Sequence, residues 1–133
     1  MRGDVILIGE EHRRAAKRIV ESLFDTIRST DRRFTLTVAG ESGSGKSETG
    51  QALAEAFEGH GIRAVVLQQD DYYVLPPKSN DAARRANVCW VGTTEVRLDL
   101  LDSHLAAAQT GVSTIVKPLV IFDEDRIDEE TLS

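Results

Sequence analysis

One segment of the chain has the residue types and the spacing of a phosphate-binding loop. Residues 40–47 read Gly-Glu-Ser-Gly-Ser-Gly-Lys-Ser and fit the pattern G-x-x-x-x-G-K-[ST]. Glycines allow positive φ angles, so successive backbone N–H groups can turn towards a polyphosphate. In such a loop Lys46 reaches the β and γ phosphates, and the Ser47 hydroxyl joins the shell of a Mg²⁺ ion. The sequence therefore predicts that this loop binds the phosphates of a nucleotide.

The flanks of the loop support this interpretation, because such a loop follows a strand and opens a helix. Residues 34–39 form an apolar and β-branched run, and apolar side chains at helical spacing follow the lysine until Gly59. The predicted nucleotide-binding residues are the loop itself and the start of this helix: Gly40, Ser42, Gly43, Ser44, Gly45, Lys46, Ser47 and Glu48.

A second group of polar residues follows the apolar run at residues 62–67, where the sequence reads Gln-Gln-Asp-Asp-Tyr-Tyr. In a doubly wound sheet, ligands bind outside the carboxyl ends of the strands. A carboxylate there can orient or accept the proton of an acceptor hydroxyl beside a Mg²⁺-bound phosphate. Asp70 and Asp71 fit that role by sequence order, although a polar turn with a helix cap would contain the same residues.

Together, the two segments resemble the P-loop kinases of the uridine kinase and phosphoribulokinase family. The resemblance covers residues 34–75 well and the stretch to residue 122 more loosely. It implies ATP-dependent phosphorylation of a hydroxyl on a nucleoside or sugar-like small molecule, with ATP and Mg²⁺ as cofactors. By position, Asp70 would be the catalytic base and a metal ligand together with Ser47, and Lys46 would be the second catalytic residue. Asp71 would contribute to Mg²⁺ or substrate binding, and Tyr73 would lie near the substrate.

The expected acceptor site departs from the family pattern. Residues 87–92 lack the family's ribose-binding aspartate, so uridine itself is not the expected substrate. Trp90 could stack on a base or a sugar, although it could equally anchor the loop. Arg84 could bind an anionic group of the substrate or simply lie on the surface. Phe122 could stack where the family carries a tyrosine.

Two other functions remain open. Residues 119–124 have four apolar residues followed by Asp-Glu, the form of a Walker B strand. In a P-loop ATPase, Asp123 would order the Mg²⁺ shell and Glu124 would polarise the attacking water. The chain could also be a nucleotide-binding module without turnover. A GTPase is disfavoured because the sequence contains neither N-K-x-D nor D-x-x-G.

The alternation of strand-like and helix-like segments predicts an α/β fold: an incomplete P-loop NTPase-type three-layer sandwich with a mainly parallel sheet. We expect one domain over residues 1–133, with a strand and helix extension at 1–32 and a truncated nucleotide-binding core at 33–133. The predicted strands are 5–8, 34–39, 62–67, 112–116 and 119–122. The predicted helices are 11–28, the one after Lys46, 95–108 and one starting near Asp128, and residues 72–87 are predicted to be mainly loop.

Composition restricts the partners and the compartment. The chain has 133 residues, of which 41% are hydrophobic, and its 22 acidic and 16 basic residues give a net charge of -6. The negative charge argues against general nucleic-acid binding. The single cysteine, Cys89, favours a reducing compartment, and no segment has the length of a signal peptide or a membrane span. We therefore expect a cytoplasmic protein with no nucleic-acid or membrane partner, and a homo-oligomer is left open.

Overall fold

The computed structural model describes all 133 residues. It contains four α-helices and two β-strands: α1 (Glu10–Ser29), α2 (Lys46–Gly59), α3 (Pro77–Ala86), α4 (Leu98–Gln109), β1 (Ile115–Ile121) and β2 (Arg126–Leu132). Three short 3₁₀ helices lie at Gln69–Tyr72, Val88–Trp90 and Thr93–Glu95. The chain divides into two compact units, one of residues 5–66 and one of residues 1–4 with 67–133.

The unit of residues 5–66 is built on the packing of α1 against α2. Both helices carry apolar side chains at helical spacing, so each presents one apolar face. The buried core consists of Ala16, Val20, Ala52, Leu53 and Phe57. Full burial of a side chain such as Val20 or Leu53 contributes about 1.5–3 kcal/mol. The predicted helices at 11–28 and after Lys46 are therefore confirmed, and α2 ends at Gly59.

The predicted three-layer sandwich with a mainly parallel sheet is wrong. The only sheet has two antiparallel strands, β1 and β2, and residues 5–8, 34–39 and 62–67 are not strands. Ile8, Val38 and Ala64 from these segments pack against the helical core. Their neighbours Leu7 and Val65 are exposed. Apolar and β-branched composition indicates side chains that can pack on a pleated surface, but a ladder also needs a partner strand in register, which the composition of one segment cannot specify.

The second unit contains the β1–β2 hairpin, in which Ile115 pairs with Leu132 and Ile121 with Arg126. Parts of the two predicted strands at 112–116 and 119–122 belong to one strand, β1, which continues through Pro118, whereas residues 112–114 and 122 lie outside it. The Val120 N–H points away from β2, because it donates to Asp71 at 3.0 Å. In a strand, the N–H groups of residues two apart point to the same side. An N–H at position 118 would therefore point away from β2, as the Val120 N–H does. The proline therefore removes no hydrogen bond from the ladder.

The helix predicted to begin near Asp128 is wrong, because residues Arg126–Leu132 form strand β2. Acidic residues close together suggested a helix N-terminus, but two of the acidic residues within β2 pair with cations. Glu130 lies 3.1 Å from Lys117 on β1, and Asp128 lies 2.8 Å from Arg126. Pairing with β1 thus overrides the local preference of this acidic segment.

The region at 72–87, predicted to be mainly loop, contains helix α3. Pro77 is at the first helical position, where a proline costs no hydrogen bond. The capping group comes from the hairpin turn: the Asp125 carboxylate accepts from the Lys78 N–H at 2.7 Å and from the Ser79 hydroxyl at 2.7 Å. This cap lies 47 residues from Lys78 in the chain, so local sequence could not indicate it.

Helix α4 spans Leu98–Gln109, and the prediction of a helix at 95–108 is confirmed apart from its start. The first residue of the predicted helix, Glu95, ends the 3₁₀ helix Thr93–Glu95, and residues 96 and 97 connect it to α4. Gly111 follows the helix with a φ of 88°, the left-handed conformation that favours glycine after a helix end.

Candidate functional site

The phosphate-loop segment has a backbone that favours glycine at two positions. Gly43 and Gly45 have φ angles of 76° and 82°, which side-chain-bearing residues rarely adopt. A Cβ on Gly40 would lie 2.6 Å from Ser44 Oγ, a contact that rotation of the Ser44 side chain would relieve. The left-handed conformation therefore explains the glycines at positions 43 and 45 of this loop.

Backbone N–H groups at the start of α2 are free to bind an anion. The Ser44 N–H donates to the Glu41 carbonyl at 3.2 Å and closes a turn, and the Thr49 N–H donates to the Gly45 carbonyl at 2.9 Å. The N–H groups of Lys46, Ser47 and Glu48 between them have no partner in the protein. These groups lie at the positive end of the helix dipole, which favours a bound anion.

Lys46 supplies the positive charge of this loop. Its ammonium donates to the Glu41 backbone carbonyl at 2.6 Å. It has no carboxylate partner, since no ion pair involves it. A neutral carbonyl is a weaker partner for an ammonium than a phosphate oxygen, so an anion in the loop could take over this lysine.

Asp70 and Asp71 are neighbours in the 3₁₀ helix Gln69–Tyr72, but their environments differ. Asp70 is exposed and takes part in no ion pair or side-chain hydrogen bond. Asp71 is 1% exposed. Its carboxylate lies 2.6 Å from the Lys117 ammonium and 2.9 Å from the Met1 amine.

The buried Asp71 carboxylate is held in its ionised form. Burial by itself raises its pKa, but the hydrogen bond from Lys117, the bond and charge of the Met1 amine and the Val120 N–H outweigh burial. The net result is a pKa below the ordinary value of 3.8. Because this carboxylate is buried and pairs with two cationic groups, its environment is that of a structural ion pair.

The buried Tyr72 and the half-buried His104 form a hydrogen-bonded pair next to Asp71. The Tyr72 hydroxyl and His104 Nδ1 are 2.9 Å apart, and Tyr72 is fully buried. Burial, and then the charge of Asp71, raise the pKa of Tyr72 to about 12. Burial, together with the charges of Arg97 and Lys117, lowers the pKa of His104. Sequence reasoning missed His104 and Lys117, since neither belongs to a motif.

Two predicted substrate-binding residues belong to a hydrogen-bond network around Glu95. This buried carboxylate accepts from Arg84, from Asn80 at 2.7 Å and from the Gly92 N–H at 2.8 Å. The hydrogen bond from Arg84, followed by that from Gly92, lowers the pKa of Glu95 to about 2 although burial opposes the shift. The Trp90 indole N–H donates to Asn80 at 2.7 Å. Arg84 and Trp90 thus both have partners within the protein.

The remaining predicted residues lie elsewhere in the second unit. Tyr73 is half-buried and forms a single antiparallel bridge with Val96. Phe122 is 41% exposed and begins the turn between β1 and β2. Asp123 and Glu124 lie in the same turn, where Glu124 pairs with Arg126 at 3.0 Å.

The predicted site residues are distributed over both units. The loop at residues 40–47 belongs to the unit of residues 5–66, whereas Asp70 and the predicted acceptor contacts belong to the other unit. The second unit also contains an open cavity of about 320 Å³, lined by Arg97, Leu100, Val116, Lys117, Pro118, Ile127, Asp128 and Glu129. None of the predicted site residues lines this cavity.

Comparison with known proteins gives no family for this chain. No family model, no curated protein and no solved structure matches it. No group of three or more His, Cys, Asp or Glu side chains is arranged to hold a metal ion. None of the helices combines the length and the apolar character needed to cross a membrane.

Proposed function

We propose that this chain is an ATP-dependent phosphotransferase that transfers the γ-phosphate to a hydroxyl of a nucleoside or sugar-like small molecule. The observation that carries the proposal is the loop at residues 40–47. It combines two glycines in the left-handed backbone conformation, three N–H groups without a partner at the start of α2, and a lysine without a carboxylate partner. These are the groups that bind a polyphosphate in P-loop proteins.

In the proposed reaction, the acceptor oxygen attacks the γ-phosphorus and the bond to the bridging oxygen of ADP breaks. Lys46 and the backbone N–H groups offset the charge of the phosphate oxygens. The acceptor proton passes to Asp70. We assign that role to Asp70 and not to Asp71 because a base must be accessible to the acceptor, and Asp70 is exposed whereas Asp71 is 1% exposed and ion-paired.

The proposed cofactor is Mg²⁺, with Ser47 of the phosphate loop as a protein ligand. Mg²⁺ keeps several waters and is held by one or two protein groups together with phosphate oxygens, so a cage of carboxylates is not required. The Ser47 hydroxyl fits such a shell, because it makes no side-chain hydrogen bond and lies in the first turn of α2 beside the free N–H groups. When bound, the ion would neutralise charge on the β and γ phosphates.

The first test is binding of Mg·ATP, measured by calorimetry on the wild type and on Lys46→Ala. We expect the variant to lose at least tenfold in affinity, because hydrogen bonds to charged groups contribute about 1.5–3 kcal/mol. Lys17→Ala is the control, since Lys17 is an exposed lysine of the same unit whose ammonium lies 3.9 Å from Glu21. Equal affinity of the wild type and Lys46→Ala would refute the site.

A nucleotide-binding module without turnover is the second candidate. This candidate is favoured because three residues predicted to bind the acceptor already bind other groups of the protein: Asp71, Arg84 and Trp90. The two candidates differ in one assay, the transfer of labelled phosphate from Mg·ATP to a panel of nucleosides and sugars. Binding of Mg·ATP with no transfer to any acceptor would support the module and contradict the phosphotransferase.

A further inference from the structure

Helix α1 places a histidine against the phosphate-loop segment, within the unit of residues 5–66. A Cβ built on Gly45 would lie 3.2 Å from His12 Nε2 and 3.9 Å from His12 Cδ2. Gly45 is the residue immediately before α2 and its free N–H groups. The edge of the His12 ring that carries Nε2 therefore lines the end of the loop.

The hydrogen bonding of His12 determines which ring nitrogen carries a proton. The Gly9 N–H donates to His12 Nδ1 at 3.1 Å, so Nδ1 acts as an acceptor. In a neutral imidazole, one nitrogen accepts and the other carries the hydrogen. His12 Nε2 is therefore the donor, and it has no acceptor in the protein.

We propose that His12 is a further phosphate-binding residue, whose Nε2–H donates to an oxygen of the polyphosphate held at residues 40–47. This inference rests on the proposed function, since it needs a nucleotide in the loop. It adds a side-chain donor from α1 to the backbone donors of α2 and to the Lys46 ammonium. A donor fixed by a backbone hydrogen bond on its other nitrogen loses little freedom when it binds an anion.

A purely structural role would give His12 a different signature. His12 is the third residue of α1, and its side chain accepts a hydrogen bond from the Gly9 N–H. In a capping box, a Glu or Gln side chain at this position usually accepts that bond. In that case, removing Nε2 alone would change nothing. His12→Asn separates the two roles, because asparagine Oδ1 is attached to Cγ as Nδ1 is, and the side chain ends before the Nε2 position.

The experiment measures binding of Mg·ATP and of inorganic tripolyphosphate to the wild type, His12→Asn and a control, His60→Asn. His60 is an exposed histidine of the same unit whose Nδ1 bonds to the Ala56 carbonyl at 2.8 Å. We expect His12→Asn to lose roughly tenfold or more in affinity for both ligands. Its thermal midpoint and the affinities of His60→Asn should match the wild type.

A second readout follows the ring directly. In long-range ¹⁵N spectra of the wild type, tripolyphosphate should move the His12 Nε2 signal while Nδ1 keeps the shift of an acceptor. Wild-type affinity in His12→Asn would overturn the role of His12 and leave the nucleotide site intact. A loss confined to ATP would also overturn it, since the contact would then be with adenosine. A wild type that binds neither ligand would overturn the proposed function, and His12 with it.

Discussion

At the scale of single residues, two adjacent aspartates have opposite environments. Asp70 is exposed and unpaired, whereas Asp71 is buried between Lys117 and the Met1 amine. An exposed carboxylate keeps its hydration and can exchange partners, which suits a proton acceptor. A buried one is fixed, because losing a partner would leave an uncompensated charge in a low-dielectric site.

The prediction at this scale is a separation of activity from stability. Asp70→Asn should abolish phosphate transfer while changing the free energy of unfolding by less than about 0.5 kcal/mol, as surface substitutions do. Asp71→Asn should lower the free energy of unfolding by about 3 kcal/mol, because it removes one partner of a buried pair. Transfer assays and urea unfolding of both variants check this.

Two results would contradict the separation. Persistent transfer in Asp70→Asn would identify another group as the base. Wild-type stability in Asp71→Asn would show that the contacts with Lys117 and Met1 contribute little. Asp102→Asn is the control, because Asp102 is an exposed carboxylate on α4 of the same unit.

At the scale of secondary-structure elements, the loop and α2 act together through Gly45. This glycine caps α2 with a φ of 82°. A Cβ built on it would point towards the His12 ring. Gly50 lies inside the same helix, and a Cβ there would meet nothing within 4 Å. The two glycines of one element thus differ in whether the backbone requires them.

We predict opposite effects for alanine at these two positions. Gly45→Ala should lower the free energy of unfolding by about 1–2 kcal/mol, the cost of a left-handed residue with a Cβ. It should also weaken Mg·ATP binding, because the loop must shift away from His12. Gly50→Ala should raise the free energy of unfolding by about 0.5–1 kcal/mol and leave binding unchanged.

Urea unfolding and calorimetry of the two variants check this pair. Helix content by circular dichroism serves as the control for misfolding. If Gly45→Ala were as stable and as tight a binder as Gly50→Ala, the left-handed conformation of the loop would be wrong.

At the scale of the whole molecule, folding lowers the pKa values of several ionisable groups, and this makes the stability of the fold sensitive to acid. The pKa values of Glu95, Asp71 and Asp125 lie below their ordinary values, chiefly through hydrogen bonds and nearby positive groups. Burial lowers the pKa of His104. In each case the unfolded chain binds more protons than the folded one below the ordinary pKa, so stability falls as the pH falls.

We predict that the free energy of unfolding decreases as the pH drops below 6.5, the ordinary pKa of His104, and decreases more steeply below 4.5, that of Glu95. The contribution of Glu95 is present above pH 4.5 and is lost as the pH falls towards its folded pKa of about 2. Urea unfolding at a series of pH values measures the slope. Glu95→Gln should be less stable at neutral pH and should have a shallower slope below pH 4.5.

The control for this slope is Glu58→Gln, which alters an exposed carboxylate on α2. It should keep the wild-type dependence on pH. A Glu95→Gln variant with the wild-type slope would contradict the role of the Arg84 and Gly92 contacts.

The local sequence was enough to predict the elements that depend on residues close together in the chain. Apolar residues at helical spacing specified α1, α2 and most of α4, and the glycines of residues 40–47 specified a loop that opens a helix. These features need only neighbours within about four residues, so the sequence contains their whole cause.

Only the tertiary structure decided the features that depend on distant partners. Residues 34–39 and 62–67 have strand-like composition but no ladder, α3 is capped from Asp125, and β2 forms where acidic residues suggested a helix. The same holds at the site, where Lys117 fixes Asp71 and His12 lies against Gly45. Such contacts join residues far apart in the chain, and their formation depends on how the whole molecule closes its loops and buries its charges.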